Sequence, residues 1–317
     1  MKNIASIEIG SNSIRMLIAE TSDFGESFRE IYRKRVITRI GEDFNSNQIE
    51  TLKQAPIERS VMALGEFFDI AKKFGVTYSF LVATGVIRKA VNGNDFISLV
   101  SKKFGRNVEI ISGEEEADLT CKGVLFALNQ SEGPFLIFDL GGGSTEFILV
   151  QNGEENIMSL NLGAVVLTQD YLYDDPPSKE QIDRLISYIE GIFNCNLYDF
   201  TKIENEEFSL IGTGGSAFTL ATIIKEMKKK DFTEKDESVT SLKKGEIEGV
   251  FEKIRAVPAL ERLNFKGIEK GREDTILAGT AMVIKIMDYF HRDEIVISYS
   301  DILEGILIKY WGGEKNE

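Results

Sequence analysis

Residues 5–18 read ASIEIGSNSIRMLI, and residues 136–149 read LIFDLGGGSTEFIL. Laid one over the other, they place Gly10 on Gly141, Ser13 on Ser144 and Glu8 on Asp139. Each stretch reads as a strand, a tight glycine-bearing turn and a second strand. In the first copy Ile4–Ile9 alternates apolar Ile7 and Ile9 with Ser6 and Glu8, and Ile14–Ala19 follows the turn. In the second copy Phe135–Asp139 and Glu146–Val150 repeat the plan. A third strand comes next in both, near Ile31–Thr38 and at Asn156–Leu160. A duplicated strand-turn-strand unit predicts two related domains facing each other, with one turn on either side of a cleft.

Outward from the first copy, the pattern predicts a helix over Ile49–Phe74 and a strand over Tyr78–Ala83. A helix at Phe96–Lys103, a strand at Val108–Ile111 and a helix at Glu114–Leu128 follow. Outward from the second, Ser178-Lys179-Glu180-Gln181 is a capping-box pattern just after Pro176 and Pro177. It opens a helix with Ile182, Leu185, Ile186, Ile189, Ile192 and Phe193 on one face. A strand at Phe208–Ile211 runs into Gly212-Thr213-Gly214-Gly215-Ser216, and a helix continues through Lys225. An apolar helix over Asp274–Phe290, a strand at Glu294–Ser298 and a helix at Ile302–Trp311 close the chain.

With 317 residues, 43% hydrophobic and 28% charged, the composition suits a soluble protein of two domains. The formal net charge of −14 argues against broad nucleic-acid binding, which needs a basic surface. An anionic substrate would therefore be met by local donors and a metal rather than by the whole-protein field. The short basic runs Arg33-Lys34-Arg35 and Lys228-Lys229-Lys230 read as solvated faces. No apolar run approaches the roughly 20 residues of a membrane span, and Met1-Lys2-Asn3-Ile4 runs straight into a strand without a signal peptide. Cys121 and Cys195 fit no metal or disulfide spacing and read as reduced thiols of a cytoplasmic protein. The single His291, among Arg292, Asp293 and Glu294, reads as surface.

Three Gly/Ser turns each follow a strand: Gly10-Ser11-Asn12-Ser13, Gly141-Gly142-Gly143-Ser144-Thr145 and Gly212–Ser216, the last containing Gly214 and Gly215. Glycine lets backbone N–H groups converge on an anion, so the three together point to phosphate binding. None carries the Gly-Lys-Ser/Thr of a Walker A loop, and the Gly141 turn is followed by a strand, not by the helix of a dinucleotide site. Glu8 and Asp139, each two residues ahead of its turn, are candidate holders of Mg²⁺. Arg15 and Arg88 are candidate phosphate clamps. Glu114-Glu115-Glu116 opens a helix, where the dipole favours acids.

Five strings carry a resemblance: Glu8–Arg15, Ala83–Arg88, Ile111–Ala117, Asp139–Glu146 and Gly212–Gly215. In order and spacing the chain resembles the exopolyphosphatase/guanosine pentaphosphate phosphohydrolase (Ppx/GppA) family in its short form, and Arg272–Gly279 and Glu304-Gly305 extend the likeness. The resemblance implies an α/β, two-domain actin-like ATPase (ribonuclease H-like) superfold with the active site in an interdomain cleft. It implies that the last helix returns to the first domain, giving domains 1–121 with 300–317 and 122–299. It implies that Glu116 activates a water for in-line attack on a terminal phosphorus, and that Glu146 positions that water or the metal. Asp139 would contribute to the Mg²⁺ site, and the glycine turns and Arg88 would bind phosphate oxygens. The substrate implied is polyphosphate or a guanosine polyphosphate, with no nucleic-acid or membrane partner, and a homodimer is compatible with it. The chain departs from the family at Glu8, where aspartate is usual, and at Leu303, where arginine is usual in Gly-Leu-Arg-Glu-Gly. A second reading is a catalytically weak member that binds these ligands as a regulatory module. A third is a kinase or chaperone-type ATPase on the same superfold.

Overall fold

Glu8 lies opposite Arg15, and Asp139 opposite Glu146, across two antiparallel hairpins. The structure, a computed structural model, describes residues 1–21, 28–42, 44, 51–128, 133–203, 208–228 and 239–313. The chain divides into two compact units, 1–126 with 300–317, and 127–299.

The first unit opens with β1 (Lys2–Ile9), β2 (Ser13–Thr21) and β3 (Phe28–Ile37). It continues through α1 (Gln54–Lys73), β4 (Val76–Ala83), α2 (Val86–Lys89), α3 (Gly93–Phe104), β5 (Glu109–Ile110) and α4 (Gly113–Leu128). Its sheet has the order β3-β2-β1-β4-β5, antiparallel through β3-β2-β1 and parallel through β1-β4-β5. Helix α1 starts at Gln54, with Pro56 in its first turn, where the missing N–H costs nothing. The expected start at Ile49 lies outside the described residues.

The second unit holds β6 (Phe135–Leu140), β7 (Thr145–Gln151), β8 (Glu154–Leu160), α5 (Ala164–Tyr171) and α6 (Lys179–Asn196). After a 3-10 turn at Tyr198–Thr201 come β9 (Ser209–Thr213), α7 (Gly215–Met227), β10 (Val239–Lys243) and α8 (Lys244–Arg255). Then follow α9 (Ala259–Arg262), α10 (Ile276–Tyr289) and β11 (Glu294–Ser298), and α11 (Ile302–Gly313) belongs to the first unit. The second sheet runs β10-β11-β9-β6-β7-β8. With β10 set aside, both sheets share one plan: a three-strand meander whose first strand pairs in parallel with a fourth, and the fourth with a fifth. That doubled plan is the actin-like, ribonuclease H-like superfold.

Strict alternation of apolar and polar residues is not what β1 shows. Ala5, Ile7 and Ile9 pack with Ile57, Leu64, Phe67, Phe96 and Val100 from α1 and α3. Ile4, with Leu17 and Ala19 of β2, packs with Leu119, Ile302, Leu303 and Ile306 from α4 and α11. Helices cover both faces, so the sheet reads as nearly continuous apolar sequence. Ser6 and Glu8 are consequently buried rather than solvent-facing. In the second unit Ser178 does cap α6, accepting from Gln181 N at 3.3 Å. Gln181 does not complete the box: its amide turns to Asp174.

Candidate functional site

The first turn is closed by Gly10 N donating to Ser13 O, 3.0 Å, and the second by Gly141 N donating to Ser144 O, 3.0 Å. The tip carbonyls are taken by the chain that follows the third strand of each meander. Asn12 O accepts from Thr38 N and Arg39 N, and Ser11 O from Gly41 N. Likewise Gly141 O accepts from Ala164 N, and Gly142 O from Val165 N. With carbonyls held from behind, the amides of Ser11, Asn12, Gly142 and Gly143 find no acceptor among the described residues. This is the arrangement of a backbone anion nest.

Each turn is also met by a Thr-Gly pair at the end of the fourth strand. Gly85, φ 55°, lies against Ser11, whose Oγ accepts from Val86 N at 3.1 Å. Gly214, φ 90°, lies against Asp139: a Cβ there would stand 2.5 Å from Asp139 Oδ1 and 2.6 Å from Leu140 O. Only glycine combines that φ with that approach. Gly215 is pressed by the guanidinium of buried Arg272.

In the first unit, Ser112 caps α4 by accepting from Glu115 N at 3.0 Å, which sets the three acids on its first turn. They then part ways. Glu114 is exposed, Glu115 bonds Lys309 of α11, and Glu116 pairs with Arg88 at 3.1 Å. Arg88 Nη1 also donates to Ile111 O at 2.8 Å. Glu8 is engaged at both oxygens, by Arg15 Nε at 2.9 Å and by Thr84 Oγ1 at 3.1 Å. Arg15 extends further to Asp301, so the first unit answers its hairpin acid with its own cation.

At the equivalent place the second unit sets two acids opposite each other. Asp139 and Glu146 are directly opposed on β6 and β7 and are 8% and 2% exposed. Ser159 Oγ donates to Glu146 Oε1 at 2.7 Å. Like charges facing each other across a hairpin repel, and a buried pair of carboxylates asks for a cation. Mg²⁺ commonly takes one or two carboxylates, with water and phosphate oxygens completing its shell. The donor set here fits that pattern; among the described residues no cluster of three acidic, histidine or cysteine side chains forms a protein-only cage.

Sequence reasoning missed Asp301 and the partner of Arg33. Arg33, read there as part of a solvated run, pairs with buried Glu304 and with Glu30. Burial works to lower the Arg33 pKa, but Glu304, Glu30 and Asp301 push it upward overall. Burial raises the Glu304 pKa, Arg33 opposes this, and Asp301 adds to the rise. Lys228 pairs with Glu246, while Lys229 and Lys230 of the second run lie outside the described residues. Leu303 is fully buried in an apolar cluster, which explains why it is not a cation here. Asp301-Ile302-Leu303-Glu304 is legible as a capping pattern, the one sequence signal that marks Asp301.

No described helix is long and apolar enough to cross a membrane, and both cysteines are free, Cys121 buried and Cys195 exposed. Among known proteins, the chain is 31% identical over 312 residues to a bifunctional 3-dehydroquinate synthase/phosphatase of Fusobacterium nucleatum; the match covers 96% of this chain and 46% of that one. It is 26% identical to exopolyphosphatase 2 of Mycobacterium tuberculosis, covering 98% of this chain and 99% of the other. The crystal structure of the Aquifex aeolicus Ppx/GppA family member superposes with a TM-score of 0.77 at 28% identity, covering 100% and 99% of the two chains. The family model described as Ppx/GppA phosphatase matches residues 17–312, and the chain belongs to that family.

Proposed function

We propose that this chain hydrolyses a phosphoanhydride, releasing terminal orthophosphate from inorganic polyphosphate or from pppGpp. The observation that carries the reading is the Arg88–Glu116 pair, which joins a phosphate-binding group and a carboxylate 28 residues apart in sequence. Glu116 is the general base. It takes a proton from the attacking water, while Arg88 directs it and binds phosphate oxygens. In each unit the turn amides, of Gly10–Ser13 in the first and of Gly141–Ser144 in the second, are donors for phosphate oxygens, as phosphoryl transfer demands positioning and charge neutralisation more than covalent help. Thr84, Gly85, Gly214 and Gly215 support those turns.

Within the second unit Asp139 would hold Mg²⁺, with Glu146 opposite; Glu8 of the first unit is already paired with Arg15. Bound there, Mg²⁺ supplies charge neutralisation for the phosphate oxygens. The test compares orthophosphate release from long-chain polyphosphate, pppGpp and ATP, with Mg²⁺ and with excess chelator. Release from the first or second, well above ATP and abolished by chelator, is expected. Full activity in chelator would refute the metal role, and ATP as the preferred substrate would favour a kinase-like or chaperone-like ATPase.

A further inference from the structure

We propose that Asp301 is a positioning residue for the first turn: through Arg15 it fixes the Glu8 carboxylate beside Gly10. The proposal rests on the reading of that turn as a phosphate site, and it assigns a role to the start of the last helix.

Asp301 is the N-cap of α11. Its Oδ1 accepts from Leu303 N at 3.0 Å, the second amide of the helix, and its own N–H donates to Glu304 Oε2 at 2.9 Å, the glutamate half of a capping box. Asparagine or serine caps a helix as well as aspartate does, so the cap alone gives no reason for a charge here. Yet Asp301 is 0% exposed, and a buried carboxylate is costly unless it is paired. Its partner is Arg15 Nη1, 286 residues away in sequence. The neighbouring cap residue, Glu304, is spent on Arg33 instead.

The Arg15 side chain is long, and one contact would leave its guanidinium free to swing. Here two contacts on different nitrogens fix the plane: Nε on Glu8 Oε2 at 2.9 Å, and Nη1 on Asp301. Thr84 Oγ1 fixes the other Glu8 oxygen at 3.1 Å. Glu8 Oε1 thereby sits where a Cβ on Gly10 would approach to 2.5 Å, tight under the turn. Removing Asp301's charge should let Arg15 and Glu8 move together while the cap persists.

The test is Asp301→Asn, with Asp301→Ser as a second neutral cap should the asparagine variant fold poorly. Three readouts are taken on the full chain. The first is kcat and the Mg²⁺ half-saturation for inorganic tripolyphosphate, where a loss of about tenfold is expected, as for supporting residues around other sites. The second is a cycle with Arg15→Gln: Asp301→Asn should add little once Arg15 is gone. The third is the Arg15 Nε–H resonance in arginine-labelled protein, which should lose its protection from exchange in Asp301→Asn but keep it in Glu304→Gln. An equal loss in the Arg15→Gln background, or an Arg15 signal untouched by Asp301→Asn, overturns the proposal. If the unaltered chain releases no phosphate, the hydrolase reading fails, and the Arg15 resonance still decides whether Asp301 holds Arg15 in place.

Discussion

Glu116→Gln is expected to lower orthophosphate release by at least about 100-fold while leaving tripolyphosphate binding within a few-fold of the unaltered chain. The amide has nearly the shape of the carboxylate and can still accept from Arg88, so the geometry at the start of α4 should persist. What it lacks is the capacity to take a proton from water. The loss should therefore appear in kcat rather than in KM. Glu115→Gln provides the contrast: Glu115 sits on the same helical turn and faces Lys309, so its variant should keep most of the activity. Unchanged turnover in Glu116→Gln would remove Glu116 from the mechanism.

Gly305→Ala is expected to destabilise the protein by about 3 kcal/mol, at the upper end of what overpacking costs. Helices α4 and α11 touch backbone to backbone within the first unit. A Cβ on Gly305 would lie 1.8 Å from Leu119 O, and one on Gly123 would lie 1.9 Å from Asp301 O. Neither obstacle is the flexible end of a side chain, so the helices themselves would have to part. Alanine would otherwise gain about 1 kcal/mol over glycine in a helix interior. That gain is isolated at Gly191, in the interior of α6, where a Cβ meets nothing within 4 Å. Denaturant midpoints should therefore move in opposite directions: down for Gly305→Ala, slightly up for Gly191→Ala. A midpoint for Gly305→Ala equal to that of the unaltered chain would contradict the close packing of α4 on α11. The same contact places Asp301 and Leu119 in fixed register, which is why the start of α11 can hold a group at the first turn.

The hairpins were legible because the chain states them twice, and a duplicated pattern is stronger than either copy. The register of Glu8 on Arg15 and of Asp139 on Glu146 then follows from the short turns alone. The burial of Ser6 and Glu8 was not legible, because period-2 alternation implies one wet face, whereas helices cover both faces of this sheet. Strand β10 left little trace: of Val239–Lys243 only Leu242 is buried. Helix α8, which follows it, carries its signal openly, with Ile247, Val250, Phe251 and Ile254 buried on one face. At the site, the glycine turns and the acids announced themselves by type and spacing. The partners of Arg15 and Arg33 did not, because Asp301 and Glu304 lie hundreds of residues away in sequence and only the return of the last helix brings them near. The contrast between an opposite-charged hairpin pair in one unit and a like-charged pair in the other was present in the sequence. It became meaningful only once register and burial were known.

The most direct measurement follows oxygen through one turnover of inorganic tripolyphosphate in ¹⁸O-enriched water with Mg²⁺ present. Attack of water on the terminal phosphorus puts the label in the released orthophosphate and leaves pyrophosphate unlabelled, and that is the result expected. Label appearing in pyrophosphate, or no phosphate released by the intact chain from either polyphosphate or pppGpp, would contradict it.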